Sequence, residues 1–226
     1  ADTYTDTITD GAGCKDTFSF VVTEPDTLES MISDTTHILC YGDSTGVAVV
    51  TPSAGTGPYS YDWYDAPGGV TDSTATGLPS GTYNVEVTDA NGCTDTSTVT
   101  ITEPSDMLLA SDSIPATCTG ICTGSAIVIP SGGVEPYNYS WYTIGGMPTT
   151  DTASGLCADF YNVEVTDFNG CIDTLEVEVT EPSVLSVVEV DSMATTCNGS
   201  SEGWAVVAGL GGTEPYDYWW DDELNQ

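Results

Sequence analysis

Polar and apolar residues alternate along most of this chain. The run Gly81-Thr-Tyr83-Asn-Val85-Glu-Val87-Thr-Asp89 sends Tyr and Val to one side and Asn, Glu and Thr to the other, and Phe160-Tyr161-Asn-Val163-Glu-Val165-Thr-Asp167 repeats the pattern. A period of two is that of a strand with one face buried. The same reading predicts strands at Val47 to Thr51, Tyr59 to Tyr64 and Thr94 to Thr102, bounded by Gly, Pro, Asn and Asp, and no stretch carries a helical period. Asn91-Gly92 and Asn169-Gly170 stand between paired strands. They predict tight hairpins of type I′, a turn that needs positive φ at both central residues.

These elements recur. Glu24, Glu103 and Glu181 of Thr-Glu-Pro are 79 and 78 residues apart; Cys40, Cys118 and Cys197 are 78 and 79 apart; Cys14, Cys93 and Cys171 are 79 and 78 apart. Pro58, Pro136 and Pro215 each precede a tyrosine at steps of 78 and 79. One module of about 78–79 residues is therefore repeated. Two copies are complete, at 26–104 and 105–182. Residues 1–25 match the C-terminal part of a preceding repeat, Tyr4 aligning with Tyr83, and residues 183–226 match the N-terminal part of a following one, Trp220 aligning with Trp141. The expectation is a window on a longer array of mature, soluble sequence, with no leader and no apolar run near the ~20 residues that cross a bilayer.

Charge narrows the partners. Lys15 is the only cationic side chain against 35 Asp and Glu, a net charge of −34. Nucleic acid and anionic membranes are excluded, since each would approach against a like-signed field. The eight cysteines follow the repeat period rather than the Cys-x-x-Cys spacing of a zinc site, and one histidine offers little further ligation. Disulfides in an oxidising, extracellular setting are expected.

With the register fixed, four motifs stand in order: Thr-Cys-Asn-Gly-Ser-Ser at 196–201, an aromatic Pro-Tyr-x-Tyr-x-Trp strand, Gly-Thr-Tyr-Asn-Val-Glu-Val-Thr-Asp-Ala-Asn-Gly-Cys at 81–93, and a closing Thr-Ile-Thr-Glu-Pro. Together they resemble the SprB repeat of large surface adhesins of gliding bacteria, proteins associated with type IX secretion. The resemblance covers essentially the whole chain and departs at Cys122 and Cys157, present in one repeat only, and at Ala12-Gly13 in place of Asn-Gly. It implies an all-β chain of tandem immunoglobulin-like β-sandwich repeats in an extended rod, placed at the bacterial cell surface, with a part in adhesion or filament building.

Several residues are candidate sites. The stripe Tyr59, Tyr61, Trp63, repeated as Tyr137, Tyr139, Trp141 and Tyr216, Tyr218, Trp220, has the spacing of a sugar-stacking platform; polar residues between its members make it a core face instead. Asp89 with Asn91 and Asp167 with Asn169 offer oxygens for structural calcium, but nothing matches a calcium-loop pattern, and Asx turn chemistry is the plainer reading. His37 stands alone, no nucleophile elbow exists, and the carboxylates are evenly scattered, so no catalytic residue and no cofactor is assigned. Thr35, Ser113 and Ser192 share one register inside Asp-Ser/Thr triplets and resemble O-glycosylation acceptors of the same bacterial group. The sequons at Asn138 and Asn198 are incidental in a bacterium.

The register suggests disulfides within modules: Cys40 with Cys93, Cys118 with Cys171 and Cys122 with Cys157, leaving Cys14 and Cys197 for an adjoining module or subunit. A rival map joins Cys14 with Cys40, Cys93 with Cys118 and Cys171 with Cys197. The functional expectation is a structural and adhesive segment, its partners neighbouring repeats or identical subunits in a fibre, and surface polysaccharide. A carbohydrate-binding array and the accessory stalk of a secreted enzyme are the alternatives.

Overall fold

The structure, a computed structural model, describes residues 1–142 and 148–220. The chain divides into two compact units, Ala1–Pro104 and Ser105–Gln226. The first opens with a hairpin of β1 (Asp2–Thr9) and β2 (Lys15–Val22). Six strands follow: β3 (Glu29–Thr36), β4 (Gly46–Ser53), β5 (Ser60–Trp63), β6 (Thr74–Leu78), β7 (Gly81–Thr88) and β8 (Thr94–Ile101). They form two antiparallel sheets, ordered β3-β4-β6 and β5-β7-β8. In immunoglobulin lettering these are A-B-E and C-F-G, a sandwich of that kind without strand D.

The second unit repeats the plan. Its strands β9 (Leu108–Ile114), β10 (Gly124–Ser131), β11 (Asn138–Trp141), β12 (Thr152–Leu156), β13 (Asp159–Thr166) and β14 (Ile172–Val179) form sheets β9-β10-β12 and β11-β13-β14. A last hairpin joins β15 (Ser186–Met193) to β16 (Trp204–Leu210).

Alternation explains what fills each sandwich. On β7 the buried positions are Tyr83, Val85 and Val87, and on β13 they are Tyr161, Val163 and Val165. Trp63 and Trp141 are fully buried on the neighbouring strand, paired with Val85 and Val163, and the fully buried Ala48 with Ala75, or Ala126 with Ala153, belong to the same cores. Each indole N–H donates to a backbone carbonyl, of Asp72 or Thr150, at 3.0 Å, so burial leaves no orphaned donor. The Tyr83 hydroxyl donates to the Pro79 carbonyl at 2.9 Å, and Tyr161 to that of Cys157 at 3.0 Å. This is the tyrosine corner of immunoglobulin-like folds, at the start of strand F. Gly46 and Gly124 answer to close packing: a Cβ on Gly46 would lie 2.6 Å from Ile101 Cγ2 and 2.7 Å from the Leu78 carbonyl oxygen.

The hairpins differ from the type I′ expectation. Among the described residues Ala54 is the one non-glycine with positive φ, so Asn91 and Asn169 keep ordinary φ and only Gly92 (82°) and Gly170 (86°) enter the left-handed region. Gly92 N–H donates to Asp89 O and Asp89 N–H to Cys93 O, which is a type I turn closed by a glycine bulge. The carboxylate of Asp89 holds that wider loop from inside.

Candidate functional site

The side chains repeated most faithfully gather at the two ends of each sandwich. At the F–G end, Asp89 is buried and its carboxylate accepts three backbone N–H bonds, from Thr56 (3.0 Å), Asn91 (2.9 Å) and Cys93 (2.9 Å). Asp167 accepts from Val134 and Cys171, each at 2.9 Å, and Asp10 from Ala12 (2.9 Å) and Cys14 (2.8 Å). The Cys93 N–H bond holds the Asp89 carboxyl below its ordinary value, with help from Thr56, Asn91 and Gly92 and against the opposing effect of desolvation. The Cys14 N–H bond does the same for Asp10. These oxygens are spent on the backbone. Asn91 turns its amide to the Thr56 hydroxyl at 3.0 Å rather than toward a shared ion site. Among the described residues no three His, Cys, Asp or Glu side chains converge as metal ligands.

At the opposite end the recurring Thr-Glu-Pro glutamate has a job that sequence reading missed. Glu103 accepts from Gly42 N–H at 2.7 Å and from the Ser80 hydroxyl at 2.6 Å, and Glu181 accepts from Gly120 N–H at 2.7 Å. The Ser80 hydroxyl, and then Gly42, lower the carboxyl of Glu103. The A–B loop is thereby tied to the exit of strand G, a bond reinforced by Ile38 N–H to Thr102 O (3.0 Å) and Ala116 N–H to Thr180 O (2.8 Å). His37 Nδ1 accepts from Thr102 N–H at 3.2 Å at the same end, which makes it a structural residue. The signal was visible as a spacing, since Glu103 follows Cys40 and Glu181 follows Cys118 by the same 63 residues.

These two ends correct the cysteine maps. Cys40 sits in the loop tied to Thr102 and Glu103, beyond the last residue of β8, whereas Cys93 directly precedes its first, Thr94. Eight residues of strand at ~3.3 Å each separate them by about 26 Å, against the ~7 Å that a disulfide spans. The same holds for Cys118 and Cys171 on either side of β14. Cys93 and Cys118 are exposed free thiols, as are Cys14 and Cys197, so neither the Cys40–Cys93 and Cys118–Cys171 pairs nor any pair of the rival map forms. Cys40 and Cys171 are not free thiols. Cys122 and Cys157 are joined by a disulfide.

The remaining candidates separate by face. Tyr59, Tyr61, Tyr137 and Tyr139 pack against the cores that Trp63 and Trp141 fill, while Tyr218 and Trp220 are exposed. Thr35 pairs with Ala48 and Ser113 with Ala126, both core residues, so these two hydroxyl side chains lie half-buried on the inner face of strand A. Ser192 is exposed. In all three triplets the aspartate instead clasps the next backbone N–H, Asp34 to Thr35, Asp112 to Ser113 and Asp191 to Ser192, at 2.8–2.9 Å.

Residues 32–68 and 110–146 match the family model of the SprB repeat, at equivalent places from strand A through the buried tryptophan. No curated protein matches the chain. Among solved structures it is similar to a chain from "Structural basis for Dscam isoform specificity", with 11% identity, a TM-score of 0.30, and 75% of this chain and 51% of that chain covered. The chain thus spans about half the length of that neighbour.

Proposed function

Because this chain carries SprB repeats, we propose that it is a structural and adhesive segment of an extracellular, bacterial cell-surface protein built as a tandem array. One observation supports this most directly. What the repeats copy is scaffold: the core tryptophan, the tyrosine corner, the aspartate clasp and the glutamate anchor recur in register, all turned inward or onto the backbone. A chain with one lysine and 35 acidic residues resists collapse and unspecific association, which suits a spacer that presents or transmits adhesion. Its partners in this reading are neighbouring repeats or identical subunits, and surface polysaccharide contacted outside the core stripe.

Single-molecule stretching of the 226-residue chain tests the mechanical role. With the disulfides reduced, each complete repeat is expected to unfold in one step, releasing roughly 25 nm of contour at ~3.6 Å per residue. Featureless extension at low force would sink the reading. The alternative, a carbohydrate-binding array, predicts glycan-array signals that disappear when outward residues of complete repeats are changed.

A further inference from the structure

We propose that the Cys122–Cys157 disulfide is a redox-controlled latch on one end of the second repeat, where a dithiol reductant loosens the A–B loop and the E–F turn without unfolding the sandwich.

The two complete repeats fasten this end by different chemistry. In the first, the Glu103 carboxylate bridges two loops. One oxygen accepts from Gly42 N–H in the A–B loop at 2.7 Å, and the other accepts from the Ser80 hydroxyl at 2.6 Å, in the turn between β6 and β7. The exit of strand G, the A–B loop and the E–F turn are thus joined through one side chain. In the second repeat Glu181 keeps its bond from Gly120 N–H at 2.7 Å, but Ala158 stands in the register of Ser80. Alanine has no hydroxyl, so that part of the tie has no counterpart. The link is made one residue away instead: Cys122 of the A–B loop is bonded to Cys157, the neighbour of Ala158 in the turn between β12 and β13. Ser44 and Pro79 occupy these two positions in the first repeat and cannot form such a bond. One repeat therefore ties the loop to the turn through a carboxylate, the other through sulfur.

The place of the bond makes it removable. Cys122 and Cys157 are both exposed and lie outside the buried cluster that contains Trp141, Val163 and Val165. They stand just beyond the last rung between β10 and β12, where Gly124 pairs with Leu156. Opening the bond leaves that ladder intact, together with the bonds from Ala116 N–H to Thr180 O and from Gly120 N–H to Glu181. The Tyr161 hydroxyl still has the Cys157 carbonyl, a backbone acceptor that reduction does not alter. What is released is the loop, whose remaining bonds are short-range: Thr117 N–H to the Thr123 hydroxyl at 2.9 Å and Ile121 N–H to Cys118 O at 3.1 Å.

Reduction proceeds by thiol–disulfide exchange. A thiolate of the dithiol attacks one sulfur, the other sulfur leaves as a thiolate and takes a proton, and the second thiol of the reductant then resolves the mixed disulfide. Cys122 and Cys157 gain two electrons and two protons in all, and the dithiol ends as its own disulfide. Exposure of both cysteines gives the incoming thiolate access in the folded protein.

Hydrogen–deuterium exchange of the full chain, resolved to residues by mass spectrometry, provides the test. Cys122→Ser combined with Cys157→Ser opens this bond and leaves Cys40 and Cys171 untouched. The amides of Thr117, Gly120 and Ile121 are expected to exchange about tenfold faster or more, while those of Val163, Val165, Val177 and Val179 remain the slowest of the repeat. Dithiol treatment of the parent at neutral pH should give the same pattern at these amides, with Cys122 and Cys157 becoming open to alkylation and the near-ultraviolet circular dichroism unchanged. Ala158 and Glu181 line one surface hollow, so Ala158→Ser in the doubly substituted protein places a hydroxyl beside the carboxylate and should restore most of the lost protection. A disulfide that merely shortened the unfolded chain could not be replaced by one hydroxyl. In the first repeat, Ser80→Ala should speed exchange at Gly42 by a similar factor. Unchanged exchange at Gly120, a common fast rate throughout the second repeat, no rescue by Ala158→Ser, or a bond that dithiol opens only in denaturant would each overturn the proposal.

Discussion

Replacing Trp141 by alanine removes the largest side chain from the second sandwich. The indole is fully buried, its strand pairs with Val163 of the central strand, and its N–H donates to the Thr150 carbonyl. Truncating a buried Trp costs roughly 3 to 5 kcal/mol through lost transfer energy and the cavity left behind. Loss of the hydrogen bond adds up to ~1 kcal/mol, reduced if water reaches the freed carbonyl. At ~0.05 to 0.15 kcal/mol per residue, a repeat of this size holds roughly 4 to 12 kcal/mol in total. The substitution therefore takes from about a quarter to all of the stability of one repeat and leaves the other nearly untouched. Urea unfolding followed by limited proteolysis and peptide mass spectrometry resolves the two: early cleavage is expected between residues 105 and 182, and Trp63→Ala should move it to 26–104. Tyr142→Ala is the control, because Tyr142 is exposed on the other side of the same strand end and should cost no more than ~0.5 kcal/mol. A Trp141→Ala protein as stable as the Tyr142→Ala protein, deficient only in sugar binding, would refute the assignment of the stripe to the core.

Gly46→Ala is expected to destabilise its repeat by roughly 1 to 3 kcal/mol, because the new methyl meets Ile101 and the Leu78 backbone; a thermal midpoint equal to the parent's would contradict that packing. Tyr83→Phe keeps the ring and deletes the bond to Pro79, and a loss of about 1 kcal/mol in urea melts should distinguish it from the much larger loss of Tyr83→Ala. Asp89, Glu103 and Asp95, whose carboxylate accepts from the Ser30 hydroxyl at 2.8 Å and the Ser30 N–H at 2.6 Å, all have carboxyls held below their ordinary values, so the stability they contribute is fully present above the unfolded value near ~4 and is lost as pH falls through the lower folded values. Asp89→Asn should lower the neutral-pH midpoint and flatten that acid limb; an unchanged acid limb would show that the clasp does not govern it.

The register, the module length and the buried strand F could be read from the sequence because the period-two pattern is strongest where one face is fully buried, as in Tyr83, Val85 and Val87. Strand A and strand E were not marked. Strand A is an edge strand, only half-buried at Ser30, Ile32 and Thr35, and strand E is five residues long around Gly77, so neither shows a clean alternation. The hairpin type was misjudged because Asn-Gly is compatible with two turns, and the choice fell to a side chain outside the pair, Asp89, whose three acceptor bonds need the wider loop. The cysteine pairs failed for a reason the spacing cannot encode. Cysteines that recur once per repeat are equally consistent with sharing an end of the sandwich or lying at opposite ends, and only the direction of strand G decides.

The repeat also shows how a chain with so few cations accommodates its carboxylates. Among the described residues the one ion pair is between the N-terminal amine and Glu24. Charge is compensated by the backbone instead: Asp34, Asp72, Asp112, Asp159, Asp173 and Asp191 each accept the N–H of the next residue, while Asp10, Asp89 and Asp167 close hairpins. Such local bonds satisfy donors that turns and strand ends would leave to water, and they require no partner of opposite sign. Aspartate can thus multiply across the array without a matching set of lysines, and the uncompensated remainder gives every repeat the same sign of field. That field opposes contact between copies wherever apolar surface is not large enough to overcome it.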